Sequence, residues 1–249
     1  MSVVAAPGPR AALAFHDAEC GAYAADLTLW EELATERGSP LLDLGAGSGR
    51  VAIHLARRGH KVFAVERDSA LAAAARTRGR DLAPPPTVAV ADVRELRLGR
   101  RFALALAPMQ LLQILGRAGR RRAVERIAAH LPPGGLLAAA IVEGVPDETL
   151  ARRPTPLPDV RERDGWTYSS LPLGAELRGG TLRVSRLRQA VSPSGELSEE
   201  LDVVALDPLD ATALEAELDA AGMHPVGRRR VAATEEHVGS IVVLAEAGR

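Results

Sequence analysis

Three glycines at alternate positions, Gly45, Gly47 and Gly49, follow directly on a short apolar run in the stretch LLDLGAGSGR, from Leu41 to Arg50. A strand that runs into such a turn and then into a helix exposes backbone N–H groups and lets a ligand come where a Cβ would collide. Nucleoside triphosphates, dinucleotides and phosphate-free nucleosides all use openings of this kind. The triphosphate loop ends in Gly-Lys-Ser/Thr, which is absent here. The dinucleotide fingerprint is G-x-G-x-x-G, and its last glycine falls on Arg50 in this chain. A ligand without phosphates fits better. Asp43, just before the turn, would repel an anion but suits an ammonium or sulfonium group.

Two further acids stand at the ends of apolar runs: Glu66 in VFAVERD, 21 residues after Gly45, and Asp92 in VAVADV. With the glycine turn they form an ordered set that resembles the motifs of the class I S-adenosylmethionine-dependent methyltransferases, small-molecule type. In that family the acid ending the second strand accepts from both ribose hydroxyls, and the aspartate after the third lies near the adenine amino group. The resemblance therefore implies S-adenosyl-L-methionine as cofactor. It assigns the cofactor contacts to Asp43, Gly45, Ala46, Gly47, Gly49, Arg50, Glu66, Arg67, Asp92, Val93, Ala107 and Met109. FALALAPMQLLQIL resembles the fourth-strand motif, whose loop passes the methyl-transfer site, and HLPPGGLLAAA resembles the helix-turn-strand that follows. Two departures are present. Ala103 stands where many members carry an acid, and the aromatic dipeptide with proline that marks methylation of nucleobase amines is replaced by Ala107-Pro108-Met109-Gln110. The implied reaction is methyl transfer to nitrogen or oxygen of a small-molecule acceptor. A non-catalytic S-adenosylmethionine-binding module and an NAD-linked oxidoreductase are the alternatives.

A sulfonium methyl group is already electrophilic, so the chain must chiefly align the acceptor, and orientation can lower the barrier by roughly 7–11 kcal/mol. An amine acceptor needs only to be unprotonated. A hydroxyl profits from a general base, about 10²–10⁴-fold. His16 and Tyr23, in FHDAECGAY with Asp17, are the candidate catalytic residues; the alternative is a surface histidine and a core aromatic. Gln110 and Gln113, after the fourth strand, are candidate substrate contacts or exposed helix positions. Trp166, Tyr168 and Arg186 either line the substrate pocket or form a satellite core. No two of the six histidines have the i, i+4 spacing of a helical metal site, so no metal is expected.

The elements that must position these residues follow from periodicity. Helical spacing from Asp26 to Arg37 ends at Gly38, and the strand from Pro40 to Leu44 leads through the glycines into RVAIHLARRGH. KVFAVE, a helix from Asp68 to Arg78, TVAVAD, FALALA, helices to about His130 and LLAAAIVE continue the alternation. Strands apolar on both faces imply a parallel sheet covered by helices. After Gly144 the chain is proline-rich and charged, and WTYSSLP onward alternates as a β-meander with turns at RGG and SPSG. A helix from Asp210 to Ala221 and strands near Met223–Val231 and Val238–Ala245 close the chain. The expected fold is α/β: a doubly wound Rossmann-like sheet with an antiparallel β-meander inserted between strand 5 and the last helix, and the family resemblance implies that the two closing strands complete a sheet of seven strands, the last antiparallel. Residues 1–249 read as one domain: 1–38 an N-terminal lid or helical segment, 39–145 the cofactor-binding core, 146–209 a β-rich substrate-side insertion, and 210–249 the completion of the sheet.

The bulk numbers agree with a soluble globular protein. A net charge of −1 gives no basic field for nucleic acid or a membrane surface, and no apolar run reaches the ~18 residues of a span. All basic residues but Lys61 are arginine, and the run Arg120 to Arg122 reads as a solvated helix end. A single cysteine, Cys20, fits a cytoplasmic setting. The partners expected are a small-molecule substrate, no nucleic acid and no membrane, in a monomer or homodimer; the residues up to Phe15 read as a flexible lead-in.

Overall fold

The structure, a computed structural model, describes residues 9–143, 157–234 and 237–248. In chain order the helices are α1 (Pro9–Cys20), α2 (Leu27–Arg37), α3 (Arg50–Ala56), α4 (Ser69–Gly79), α5 (Leu111–Ile114), α6 (Gly116–Ala129) and α7 (Ala211–Ala220). The strands are β1 (Leu41–Leu44), β2 (Val62–Glu66), β3 (Thr87–Val90), β4 (Leu104–Ala107), β5 (Leu136–Ile141), β6 (Asp159–Arg163), β7 (Trp166–Arg178), β8 (Thr181–Val191), β9 (Leu197–Leu206), β10 (Met223–Val231) and β11 (Ser240–Ala247). They fall into two compact units, one built on α1 and β6–β9, the other on the remaining elements. None of the described helices is long and apolar enough to cross a membrane.

The larger unit holds a seven-stranded sheet in the order β10-β11-β5-β4-β1-β2-β3. The pairs β1–β2, β1–β4, β2–β3 and β4–β5 are parallel, and β11 runs antiparallel to both of its neighbours. This is the expected sheet. Its centre is buried on both faces, as LLDL, LALA and LLAAAI require: β1, β4 and β5 have no exposed residue. Alternation sends Leu42, Leu44, Ala105 and Ala107 into one layer with Phe102, Leu112 and Ile127. Leu41, Leu104 and Leu106 enter the other layer with Trp30, Leu33 and Leu55.

Aspartates start three of the helices, each one residue ahead of the helix itself. Asp68 Oδ1 accepts from the N–H groups of Ala70 and Leu71, and Asp210 Oδ1 from Ala213. Asp26 makes no cap bond, because its carboxylate is engaged elsewhere.

The smaller unit is a four-stranded antiparallel sheet, β6-β7-β8-β9, with α1 packed on β6 and β7. Gly179 and Gly180, both at positive φ (58° and 75°), turn β7 into β8. Two expectations are corrected here. Part of the lead-in, from Pro9, belongs to α1, whose Ala11, Ala14 and Phe15 are buried at helical spacing after a proline suited to a first turn. The charged segment ahead of Trp166 contains β6, which carries one apolar residue, Val160, and so lacks an amphipathic signature.

A third correction concerns Arg120. It is 1% exposed, packed on the inward face of α6 beside Ala123, Val124 and Ile127. Its guanidinium holds both oxygens of Glu217 at 2.6 and 2.8 Å, Asp207 Oδ2 at 2.8 Å and the Leu112 carbonyl at 3.4 Å. It joins α6 to α7 and to the start of the returning chain. Breaking a fully buried pair costs about 3–5 kcal/mol; these carboxylates are partly hydrated, so Arg120→Ala is expected to lower unfolding stability by roughly 2–3 kcal/mol. Denaturant midpoints test this, and a loss below about 0.5 kcal/mol would show the network to be idle.

Candidate active site at the strand ends

The carboxyl end of β1 opens into the glycine turn. Gly45 and Gly49 have φ of 65° and 97°. A Cβ on Gly45 would lie 2.9 Å from Leu111 Cδ1, and one on Gly49 would lie 2.8 Å from Ile53 Cδ1 and 3.0 Å from Ala75 Cβ. Both positions are thus fixed by backbone conformation and by packing. The turn is fastened to the next strand: Ala46 N–H donates to the Val65 carbonyl at 3.0 Å, and Gly47 N–H to Glu66 Oε2 at 2.9 Å.

Glu66 is 8% exposed, and its other oxygen accepts from Asp68 N–H at 2.8 Å. Each carboxylate oxygen retains acceptor capacity beyond those bonds. Asp43 differs. It is 1% exposed, and neither of its oxygens has a hydrogen-bond partner. Burial pushes its carboxyl up to about 7, against the pull of the Arg50 guanidinium and of the Ala52 N–H, whose geometry falls short of a hydrogen bond, and with a further upward push from Asp26 and Glu66. Arg50 itself forms a two-pronged pair with Asp26 (2.5 and 2.8 Å), and Asp26 Oδ2 also accepts the Trp30 indole N–H at 2.8 Å. Asp26 was not among the expected site residues. Its sequence signal is the i, i+4 spacing to Trp30.

Ala91 N–H donates to the Glu66 carbonyl at 3.1 Å, which sets the end of β3 beside the end of β2. Asp92 follows and starts a short 3₁₀ turn with buried Val93. The Arg94 guanidinium holds the Asp92 carboxyl below the usual carboxylate range. Arg67 is exposed immediately after β2. At the end of β4, Ala107 is buried, and Met109 and Gln110 both adopt positive φ (48° and 58°) before α5. Two successive non-glycine residues there cost of order 1–3 kcal/mol each and re-aim the chain sharply. The ends of β1, β2, β3 and β4 thus gather the glycine turn, Asp43, Arg50, Glu66, Arg67, Asp92, Val93, Ala107, Met109 and Gln110 along one edge of the sheet, where open α/β sheets bind ligands.

Gln113 is placed otherwise than expected. It is 1% exposed, its Nε2 donates to the carbonyls of Val142 (3.0 Å) and Asp207 (3.3 Å), and its Oε1 accepts from Val142 N–H (2.9 Å). With all its amide groups engaged by backbone, it is a strut across the chain segments that leave and re-enter the larger unit rather than a substrate contact.

The remaining candidates belong to the smaller unit. His16 lies on α1 and Tyr23 just beyond it. Tyr168 is 3% exposed, with Phe15 edge-on at 5.3 Å and Trp166 stacked at 6.3 Å, so these aromatics form a satellite core. Arg186 is paired with Asp159 and Ser170 on the same sheet, and with Glu19 at 3.6 Å. Burial opposes the charge on Glu19, but two 2.7 Å bonds from Arg188 and one from Ser170 outweigh it and hold the carboxyl below its usual range.

Residues 41–135 match the methyltransferase domain family. A stretch of 115 residues, 46% of the chain, is 31% identical to the dTDP-3-amino-3,6-dideoxy-alpha-D-glucopyranose N,N-dimethyltransferase of Streptomyces fradiae. The chain matches less than half of that relative's length, 44%. Among solved structures, the sugar N-methyltransferase KedS8 from Streptoalloteichus superposes with a TM-score of 0.74 at 24% identity, covering 100% of this chain and 97% of its own. Streptomyces venezuelae DesVI superposes with a TM-score of 0.71 at 22% identity, covering 99% and 100%. These two likenesses establish the fold over the whole chain, and the domain match falls on the strands that carry the glycine turn, Glu66 and Asp92. The family match covers residues 41–135, less than half of the chain, and the likeness to the solved methyltransferases carries the fold alone.

Proposed function

We propose that the protein transfers a methyl group from S-adenosyl-L-methionine to the amino nitrogen of a small-molecule acceptor, a nucleotide-linked amino sugar being the favoured class. The observation that carries the cofactor half is Asp43, a buried carboxyl with no well-formed hydrogen bond on either oxygen, directly ahead of the glycine turn. An unsatisfied buried acid is costly, and a cationic ligand relieves it. The acceptor half is supported by the S. fradiae relative, whose substrate is an amino sugar nucleotide.

In this reading the glycine turn admits the amino-acid end of the cofactor and Asp43 holds its positive charge. Glu66, already oriented by Gly47 and Asp68 N–H, accepts from the ribose hydroxyls. Asp92 and Val93 meet the adenine, and Ala107, Met109 and Gln110 pass the methyl-transfer position. Bound there, S-adenosylmethionine supplies an electrophilic methyl group on sulfur. The chain's part is to align an unprotonated amine and exclude water, which is a matter of orientation more than of proton transfer.

Three outcomes are expected. First, Asp43 is protonated in the ligand-free protein below its value of about 7, whereas a cation favours the carboxylate. Binding then releases a proton, and affinity for S-adenosylmethionine falls about tenfold for each unit that pH drops from 7 toward 5. Calorimetry in buffers of different ionisation enthalpy reads the proton directly, and Asp43→Asn should bind weakly with no such slope; a wild-type affinity flat over this range would remove Asp43 from the site. Second, Glu66→Ala should weaken binding by about 1.5–3 kcal/mol, the loss typical of charged hydrogen bonds; unchanged affinity would mean the ribose lies elsewhere. Third, incubation with labelled S-adenosylmethionine and dTDP-3-amino-3,6-dideoxyglucose should move label to the sugar nitrogen. Tight cofactor binding without transfer to this or any amine in a metabolite extract would instead indicate a non-catalytic binding module.

A further inference from the structure

The carboxylate just beyond the end of β3 is gripped by its own neighbour. Asp92 Oδ1 accepts from Arg94 N–H at 2.8 Å and Arg94 Nε at 2.9 Å, while Oδ2 accepts from Nε at 3.1 Å and from the terminal Nη2 at 2.5 Å. A carboxylate offers about four lone-pair positions, and these three N–H groups, with Nε–H shared between both oxygens, occupy most of them. Arg94 is held from behind as well. Its stem lies against α6 at Gly119, where a Cβ would come within 3.4 Å of Arg94 Cδ. Its side chain is nonetheless 39% exposed, so the guanidinium can swing into solvent without opening the core.

This has a consequence for the nucleoside end of the site, and it rests on the reading that Asp92 meets the adenine. An adenine amino group is a donor and needs a lone pair on Asp92; Arg94 is a donor already seated there. We propose that Arg94 is an internal competitor for the base, which must yield Asp92 to an amino purine, and that it relaxes selectivity toward purines carrying oxygen in place of the amino group. A carbonyl oxygen on the base would face Asp92 as acceptor against acceptor, and the Arg94 fork is the group that can bridge the two. Arg94 therefore sets base selectivity in opposite directions for the two ligands. The backbone bond from Arg94 N–H to Asp92 survives any side-chain change, so the turn keeps its shape in the variants.

The test is calorimetric binding of S-adenosylhomocysteine and of its deaminated analogue, S-inosylhomocysteine, to the full-length wild type and to Arg94→Ala. Removing an exposed ion pair that the amino ligand must break should tighten S-adenosylhomocysteine by roughly two- to five-fold, and the same change should weaken the inosyl analogue. Raising salt should bring wild-type affinity for S-adenosylhomocysteine toward that of the variant, because screening loosens the Asp92–Arg94 pair. Opposite shifts for the two ligands support the proposal. Shifts in the same direction, or none, overturn it. A wild type that binds neither ligand refutes the cofactor reading itself, an outcome distinct from equal binding by both proteins.

Discussion

One hydrogen bond governs the arrangement of the strand ends: the N–H of Gly47 donating to Glu66 Oε2 at 2.9 Å. It clamps a glycine turn, which has little conformational preference of its own, to the side chain that closes β2. The same carboxylate receives Asp68 N–H, and Asp68 in turn caps α4. Turn, strand end and following helix are therefore set by a single acid. Such a bond is cheap to form only because β1 and β2 already lie in parallel register, Leu44 opposite Val65, so that the two ends reach the same height.

The site is built around an imbalance of charge. Arg50 is committed to Asp26, with Trp30 completing the pair, and that leaves Asp43 buried without a well-formed hydrogen bond. A neutral side chain there would serve the ligand-free fold better. In the proposed reading the acid provides an electrostatic preference for a cationic guest, since a buried carboxylate discriminates by several kcal/mol between a cation that pairs with it and an anion that does not. Arg94 on Asp92 shows the opposite arrangement, an acid gripped by the chain itself.

Arginine does much of the structural work. Arg120 ties α6 to α7, Arg186 and Arg188 tie the smaller sheet to α1 through Glu19, and Arg50 ties α2 to α3. The planar fork suits Arg50, Arg120 and Arg188, because each closes on one carboxylate with two donors. A composition so rich in arginine gives no hint of which ones are buried, and the run from Arg120 to Arg122 illustrates why: only the helical phase of α6, fixed by Ala123, Val124 and Ile127, turns the first of the three inward.

The alternation of strands and helices, the separate β-meander and the acids Asp43, Glu66 and Asp92 at or near strand ends were legible in the amino-acid sequence from local signals, unbroken apolar runs and glycine and proline stops. The antiparallel last strand was implied by the family resemblance, and the strand order came from the structure. The starts of α4 and α7 were legible to within a residue from a local signal too, a capping aspartate at each. Partnership was not. That Arg50 faces Asp26, that Gln113 is a buried strut to Val142 and Asp207, and that Trp166 and Tyr168 pack with Phe15 into a satellite core all depend on pairs far apart in the chain or on the phase of a helix. The strand β6 escaped because an edge strand with one apolar residue carries no periodic signature. Sequence determined which groups stand at the strand ends. Only tertiary structure decided which were already satisfied and which, like Asp43, were not, because satisfaction is a property of distance and burial, and neither is written in the order of residues.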